Sequence, residues 1–184
     1  PLHAQLLEAM RTGKRPEKFI SGAPEWERGE MSAEAAQRIA AFMHAHSMAP
    51  SRGAAAQGVF RDVRHLMELG CGSGVYGIEI AKAHPGLKVT LLDLAAMAAE
   101  AGEYAKRAGV TDRVDTAACN MFTDDWPTGP DAHFFANVFH DWSAETNTLL
   151  ARKSFEALPS GGRIFLSEVL MDDDGTGPWH AAAF

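Results

Sequence analysis

Residues able to carry out chemistry stand directly after the apolar stretches of this 184-residue sequence. One stretch runs into ELGCGSG (residues 68–74), which contains an acid and three glycines, and the next stretch ends at Asp93. His140 and Asp141 follow a later stretch, and Glu168 lies near the end of the last one. A histidine beside acids is typical of a general base, and closely spaced glycines let a ligand approach the backbone. The pattern therefore predicts a ligand site with a candidate base.

The glycine turn is compatible with two adenosine-containing cofactors. Residues 72–77 satisfy G-x-G-x-x-G and Asp93 follows at a suitable distance, as in sites for nicotinamide dinucleotides. S-adenosylmethionine uses the same elements and places its amino-acid end near the turn. Because the predicted strand ends at Leu69, the turn starts at Gly70, and Glu68 is placed to accept hydrogen bonds from a charged amino group. Both details favour S-adenosylmethionine.

The elements that must position these residues alternate between strands and helices. Such alternation predicts an α/β fold, in which a parallel sheet with right-handed crossovers carries helices on both faces. Ligands of these sheets bind outside the carboxyl ends of the strands, where the residues above are expected. Strands are predicted at residues 65–69, 87–94, 112–119, 131–139 and 163–170, and helices at residues 2–12, 31–48, 75–85, 95–108 and 143–158.

Composition narrows the class of protein. Hydrophobic residues make up 46% and charged residues 22% of the chain, as in a soluble globular domain. The formal net charge of -7 argues against a nucleic-acid surface, which needs clustered Lys and Arg. The sequence has no 18-residue apolar run and no signal peptide at its start, so no membrane association is expected. Two cysteines without a pairing pattern favour a reduced, cytoplasmic setting, and the acidic run 172–174 is interpreted as a solvated turn.

A longer segment is more specific than the glycine turn. Residues 137–168, NVFHDWSAETNTLLARKSFEALPSGGRIFLSE, combine with ELGCGSG, LLDL (91–94) and CNMF (119–122) in one order along the chain. This set resembles the small-molecule O-methyltransferases of the plant caffeate and hydroxyindole type and their bacterial antibiotic- and pigment-tailoring relatives, over about residues 31–175. The resemblance implies a Rossmann-like class I methyltransferase fold with a mostly parallel, twisted sheet.

The resemblance also implies roles for particular residues. His140 matches the general base that removes a proton from a substrate hydroxyl, and Glu168 matches the acid beside it. Asp141 is expected to be a helix-cap or positioning residue rather than a second base. The implied cofactor is S-adenosylmethionine, with S-adenosylhomocysteine as its product and no metal ion. The cofactor-binding residues are expected to be Asp93 and Leu94 at the ribose, Asn120 and Met121 at the adenine, and Met43, Ser47, Glu68, Gly70, Gly72 and Gly74 at the amino-acid end and the turn. The family usually has Asp where this chain has Asn120.

The sequence predicts two segments, and it leaves alternative functions open. Residues 1–64 are predicted to form an N-terminal helical segment, and residues 65–184 an S-adenosylmethionine-binding domain that ends before the family's final strands. The acceptor is expected to be a small, aromatic hydroxyl compound, and the full-length protein a homodimer. Two other functions stay open: a binding module without catalysis, and an NAD-linked oxidoreductase. A purely structural role of His140 as a helix cap also stays open.

Overall fold

The computed structural model describes residues 29–170, together with residues 7, 11, 12, 172–174 and 177. The helix predicted at residues 2–12 therefore lies almost entirely outside the described residues. Five strands and four α-helices alternate after residue 32: α1 (Ala33–Ala55), β1 (His65–Leu69), α2 (Val75–Ala83), β2 (Lys88–Asp93), α3 (Ala95–Ala108), β3 (Val114–Ala118), β4 (Ala132–Ala136), α4 (Ala144–Ala157) and β5 (Arg163–Ser167).

The five strands form one parallel sheet in the order β3-β2-β1-β4-β5. Leu69 at the end of β1 pairs with Leu92 of β2, and Glu68 pairs with Phe134 of β4. The chain moves outward from β1 to β3 and then returns to the other side of β1. This reversal creates a switch point at the carboxyl ends of β1 and β4, where open parallel sheets bind ligands. The predicted α/β, Rossmann-like fold is confirmed.

The core lies on both faces of the sheet because strand side chains alternate in direction. Leu66 of β1 is fully buried in the cluster that contains Ile78 of α2. Its neighbour Met67 is fully buried on the opposite face, in the cluster that contains Leu150 of α4. Burial on both sides explains why the central strands carry apolar residues on both faces instead of on one face only. Within the described part of the chain, no helix is long and apolar enough to cross a bilayer.

Side-chain caps mark the starts of α1 and α4 at the predicted serines. The Ser32 hydroxyl accepts a hydrogen bond from the Ala35 N–H at 3.2 Å, and the Ser143 hydroxyl accepts one from Thr146 at 3.3 Å. These bonds satisfy amide groups that have no partner inside the first turn of a helix. The helix α3 ends at Gly109, which has a left-handed φ of 69°.

Three ends differ from the prediction by three residues or more: those of α1, β4 and β5, the last of which ends at Ser167 rather than at residue 170. The helix α1 continues past residue 48 and through Pro50 to Ala55, although an interior proline removes one helical hydrogen bond. Tertiary packing compensates, because Ser51 and Ala55 are buried and Arg52 Nε lies 3.3 Å from Glu79 Oε2 of α2.

The strand β4 ends at Ala136 instead of continuing to residue 139. Asn137 has a positive φ of 55°, which leaves the extended conformation, and Phe139–Asp141 form a 3-10 turn. This early end of the strand brings His140 above the edge of the sheet rather than into it.

We expect Gly77→Ala to destabilise the protein by ~1–3 kcal/mol, the usual cost of an extra methyl group in a packed interior. A Cβ atom at this position in α2 would lie 2.7 Å from Glu68 Oε2 and 2.9 Å from Val89 Cγ1. Gly53→Ala in α1 is the matched control, because no atom lies within 4 Å of its Cβ position. Alanine should stabilise that helix by roughly 0.5–1 kcal/mol. Chemical denaturation of both variants measures the difference, and equal effects would contradict the packing described for α2.

Candidate active site

A cavity of about 910 Å³ opens at the carboxyl ends of the strands. Its size lies at the upper end of the range for small-molecule sites, which is ≈ 300–1,000 Å³. The walls come from α1 and from the turns that follow β1, β2, β3 and β4. Nine of the predicted site residues line it: Met43, Gly70, Gly72, Asp93, Leu94, Asn120, Met121, His140 and Asp141.

The turn after β1 holds its shape through glycine and through Asp93. Gly70, Gly72 and Gly74 all have φ between 56° and 70°, which side chains rarely adopt. The Gly72 N–H donates to Asp93 Oδ2 at 2.9 Å, and the Leu94 N–H donates to Asp93 Oδ1 at 2.8 Å. Burial raises the pKa of Asp93 to about 6 against the effect of these two amides. One carboxylate thus joins the glycine turn to the start of α3.

Glu68 lies outside the set of residues that line the cavity. The side chain is 2% exposed, and its Oε2 accepts a hydrogen bond from the Gly77 N–H at 2.7 Å. Burial, with a smaller contribution from the charge of Asp93, raises the pKa of Glu68 to about 8, whereas the Gly77 amide lowers it. The sequence predicted a contact between Glu68 and the cofactor, which stays a prediction; in the structure the side chain joins β1 to α2. The reason is strand alternation, which directs Glu68 to the face of the sheet that α2 covers.

Two buried hydroxyls beside the cavity have no hydrogen-bond partner among the described residues. They belong to Ser47, four residues after Met43 on α1, and to Ser73, next to Gly72. Both side chains are 1% exposed. A buried hydroxyl without a partner costs about 1–3 kcal/mol, so such groups are usually satisfied by a ligand or by water. Their position suits a polar ligand group at the glycine turn. Gly74, also predicted, shapes this turn from outside the cavity.

The segment after β3 supplies the wall opposite α1. Asn120 and Met121, which the sequence predicts at the adenine, line the cavity here. The Asn120 Oδ1 accepts a hydrogen bond from the Phe122 N–H at 3.0 Å, and the Trp126 Nε1–H donates to the Met121 carbonyl at 2.9 Å. With Leu94 and Met97, Met121 makes this side of the cavity apolar. An apolar wall with one amide suits a flat heteroaromatic ring.

His140 lines the cavity and contacts Glu168, which lies outside the lining. The His140 Nδ1 lies 2.7 Å from Glu168 Oε2. The second carboxylate oxygen, Oε1, accepts hydrogen bonds from the N–H groups of Val138 at 3.0 Å and Phe139 at 2.8 Å. Because an ionised carboxylate only accepts, the neutral imidazole carries its proton on Nδ1 and its lone pair on Nε2. Asp141 Oδ1 lies 3.7 Å from Nε2.

Several residues of the site were not singled out by sequence reasoning. Asn137 lines the cavity with its left-handed backbone, and the buried Tyr76 hydroxyl hydrogen-bonds with the side chains of Asn137 and Ser167. An asparagine directly after a buried strand was the available signal, because asparagine tolerates this conformation better than most residues. Arg38 and Phe42 of α1 also line the cavity. Among the described residues, no group of three or more His, Cys, Asp or Glu side chains is arranged to hold a metal ion.

Comparisons with known proteins identify the family of this chain and agree with its fold. Residues 3–184 match the O-methyltransferase domain family. The 3-hydroxy-5-methyl-1-naphthoate 3-O-methyltransferase of Streptomyces sahachiroi is 43% identical over 120 residues, which cover 65% of this chain and 35% of that protein. The L-tyrosine C(3)-methyltransferase of Streptomyces lavendulae is 36% identical over 117 residues, covering 64% of this chain and 32% of that protein. The apo crystal structure of the S-adenosylmethionine-dependent methyltransferase SibL has a TM-score of 0.77 and 34% identity, over 98% of this chain and 54% of that one.

The fold and the cavity define a Rossmann-like α/β protein with an acid after β2 and a histidine–carboxylate pair after β4. By its match over residues 3–184, the chain belongs to the O-methyltransferase domain family, which confirms the resemblance stated from the sequence. The chain spans about a third of the length of the two curated relatives and about half of the solved one.

We expect the raised pKa of Glu68 to make the protein less stable as pH rises from about 5 to 8. In this window the folded protein keeps the Glu68 proton and the unfolded chain releases it. The contribution is fully present below pH 4.5 and is lost as pH passes the folded pKa, with a slope of at most ~1.4 kcal/mol per pH unit. Glu68→Gln keeps an acceptor for the Gly77 amide but has no group that titrates at this position. The free energy of unfolding of this variant should therefore fall less than that of the wild type between pH 5 and 8.

Glu79→Gln is the control for this measurement. Burial raises the pKa of Glu79, but hydrogen bonds and charges from Lys82 and Arg52 outweigh it and lower the pKa overall. The contribution of Glu79 is therefore lost only at acidic pH. Denaturant unfolding at several pH values gives the three profiles. A wild-type profile parallel to that of Glu68→Gln between pH 5 and 8 would sink the prediction.

Proposed function

We propose that this protein carries the cofactor site and the catalytic base of an S-adenosylmethionine-dependent O-methyltransferase, whose acceptor is a hydroxyl group of a small aromatic molecule. The observation that carries the proposal is the His140–Glu168 contact of 2.7 Å at the cavity that Asp93 also lines. Membership of the O-methyltransferase domain family supports the reaction class, and a relative named for a hydroxynaphthoate supports an aromatic acceptor.

The residues of the cavity fit S-adenosylmethionine. The two oxygens of Asp93 each keep a lone pair for a ribose hydroxyl, in addition to the amides they already accept. The buried Ser47 and Ser73 hydroxyls, which have no hydrogen-bond partner among the described residues, stand on the same helix as Met43 and next to Gly72, and Met121 and Leu94 suit the adenine. When bound, this cofactor supplies a methyl group whose departure leaves a neutral thioether and so needs no acid.

His140 is proposed to act as the base. Its Nε2 takes the proton of the acceptor hydroxyl, which makes the oxygen a better nucleophile. Glu168 keeps the imidazole in the required tautomer and stabilises the imidazolium that forms, and Asp141 adds to this stabilisation. The main-chain amides that bind Glu168 Oε1 fix the carboxylate, so the base is held without rearrangement.

Methylation of an aromatic carbon is a second candidate. The relative named as an L-tyrosine C(3)-methyltransferase favours it, because removal of a phenolic proton also activates the neighbouring ring carbon. Both reactions need the same base, and NMR of the methylated product separates an O-methyl from a C-methyl group.

We expect His140→Gln to lower kcat by about 10²–10⁴-fold, the usual contribution of a general base. The affinity for S-adenosylhomocysteine should stay within about twofold, because His140 is proposed to act on the acceptor. Transfer of a labelled methyl group to a panel of hydroxynaphthoates and phenols measures kcat, and calorimetry measures binding. His84→Gln, at the end of α2 away from the glycine turn, should leave kcat and the affinity for S-adenosylhomocysteine unchanged.

Three outcomes are distinct. Undiminished turnover by His140→Gln would overturn the base assignment and favour a cap role. Binding of S-adenosylhomocysteine by the full-length protein without methylation of any compound would favour a binding module. Loss of both binding and turnover would mean that His140 is needed for the cofactor site.

We expect Asp93→Asn to weaken S-adenosylhomocysteine binding by about tenfold or more, because hydroxyl groups bind a carboxylate more strongly than an amide. Wild-type affinity should also fall as pH decreases through about 6, where Asp93 becomes protonated, and the Asn variant should not show this change. Asp115→Asn on the exposed side of β3 is the control. NADH should not displace the ligand; NADH binding that resists S-adenosylhomocysteine would favour the oxidoreductase alternative.

A further inference from the structure

The helix α4 contacts both halves of the site through two polar side chains. We call residues 119–126 the cofactor loop and residues 139–142 the base turn. Lys153 of α4 donates from Nζ to the Asp124 carbonyl at 2.7 Å and to the Phe122 carbonyl at 3.3 Å. Asn147 donates from Nδ2 to the carbonyls of Phe139 at 2.8 Å and Trp142 at 3.4 Å. Each side chain therefore binds two carbonyls of one segment.

Lys153 is well placed to fix the cofactor loop. Its ammonium group lies 5.1 Å from the ring centroid of the buried Trp126, within range of a cation–π contact. Trp126 in turn donates to the Met121 carbonyl. Three carbonyls of the loop, those of Met121, Phe122 and Asp124, are thus held by two side chains that touch each other. The part of the loop that lines the cavity cannot shift without breaking these bonds.

Asn147 holds the base turn from the side opposite Glu168. Glu168 binds the amides at the start of the turn, and Asn147 binds the carbonyls on either side of His140. Asn147 Oδ1 is buried and has no hydrogen-bond partner among the described residues. A buried amide oxygen without a hydrogen bond is costly, so this placement does not complete the hydrogen bonding of the Asn147 side chain itself. The placement of Asn147 instead provides two hydrogen bonds to the base turn.

The two segments also touch each other over the cavity. The rings of Phe122 and Trp142 meet edge to face with centroids 4.6 Å apart. Asn147 and Lys153 lie six residues apart on one helix, about 9 Å along its axis at 1.5 Å per residue. The rigid helix therefore sets the separation between the cofactor loop and the base turn. Displacement reactions depend steeply on such a separation, since a misplacement of ~1 Å can cost about 10²-fold in rate.

We infer that Lys153 and Asn147 are positioning residues, through which α4 places the cofactor loop and the base turn independently. The inference rests on the proposed methyltransferase function. Lys153 acts on Asn120 and Met121, and so on cofactor affinity. Asn147 acts on His140, and so on the proton-transfer step.

The test is a pair of variants in the full-length protein with opposite kinetic signatures. Lys153→Met keeps the apolar stem against Trp126 but removes the donors. It should raise the Kd of S-adenosylhomocysteine and the KM of S-adenosylmethionine about tenfold and leave kcat within about twofold. Lys153→Arg, which restores donors, should recover part of the affinity. Arg152→Met removes a neighbouring exposed cation of α4 and should change neither value.

Asn147→Ala should show the reverse pattern: kcat about tenfold lower, and Kd of S-adenosylhomocysteine within about twofold of wild type. Retained binding also shows that the variant is folded. The loss of kcat should be smaller for a nitro-substituted 3-hydroxy-1-naphthoate than for 3-hydroxy-1-naphthoate itself, because a more acidic hydroxyl depends less on the base. A merely structural defect would lower both rates equally.

The outcomes separate the inference from the proposed function. If the wild-type protein neither binds S-adenosylhomocysteine nor methylates any hydroxynaphthoate, the proposed function fails. If the wild-type protein does both, the inference fails when the two variants change Kd and kcat in equal measure, or when neither variant changes either value. Loss of cofactor binding by Asn147→Ala also overturns the independent action of the two residues.

Discussion

Carboxylates near the carboxyl ends of the strands hold the backbone around this cavity, and the rest of the site depends on them. Asp93 accepts the Gly72 amide of the neighbouring turn, and Glu168 accepts the amides of Val138 and Phe139. Parallel strands place such side chains next to the turns that follow adjacent strands. Each carboxylate therefore satisfies backbone amides near the cavity, and Glu168 also contacts His140 through its second oxygen.

The sheet topology separates the residues proposed for binding from the residue proposed for chemistry. The turns after β1, β2 and β3 enclose the part of the cavity proposed for the cofactor, whereas the turn after β4 carries His140, the proposed base. These regions lie on opposite sides of the switch point, so no single turn contains the whole site. The order β3-β2-β1-β4-β5 brings the two sides together, and α4 spans them from one face of the sheet. Because different turns carry the two regions, we expect that a mutation can alter the turns after β1, β2 and β3 while the turn after β4 keeps its geometry.

Local patterns predicted most elements because local chemistry and tertiary packing agree there. The bounds of β1 and α3 are those expected from the sequence, and Ser32 and Ser143 cap the helices that their types and positions indicated. The failures occur where packing overrides local preference. Pro50 was expected to follow the end of a helix, but contacts with α2 carry α1 past it. The sequence HFFANVF favours a longer strand, but Asn137 turns the chain early to form the base turn.

The sequence by itself determined the family, the alternating fold and the residue types of the site, because glycine spacing and the His-Asp-Trp segment are local patterns. Only the tertiary structure decided which of the acids lines the cavity and which joins two elements of the fold. Glu68, Asp93 and Glu168 all stand near strand ends and are chemically alike, yet Glu68 joins β1 to α2 while Asp93 faces the cavity. The direction of a side chain from a pleated strand, and the turn it meets, depend on register with neighbouring strands. For the same reason Asn147 and Lys153 could be recognised only after the helix was placed against both turns.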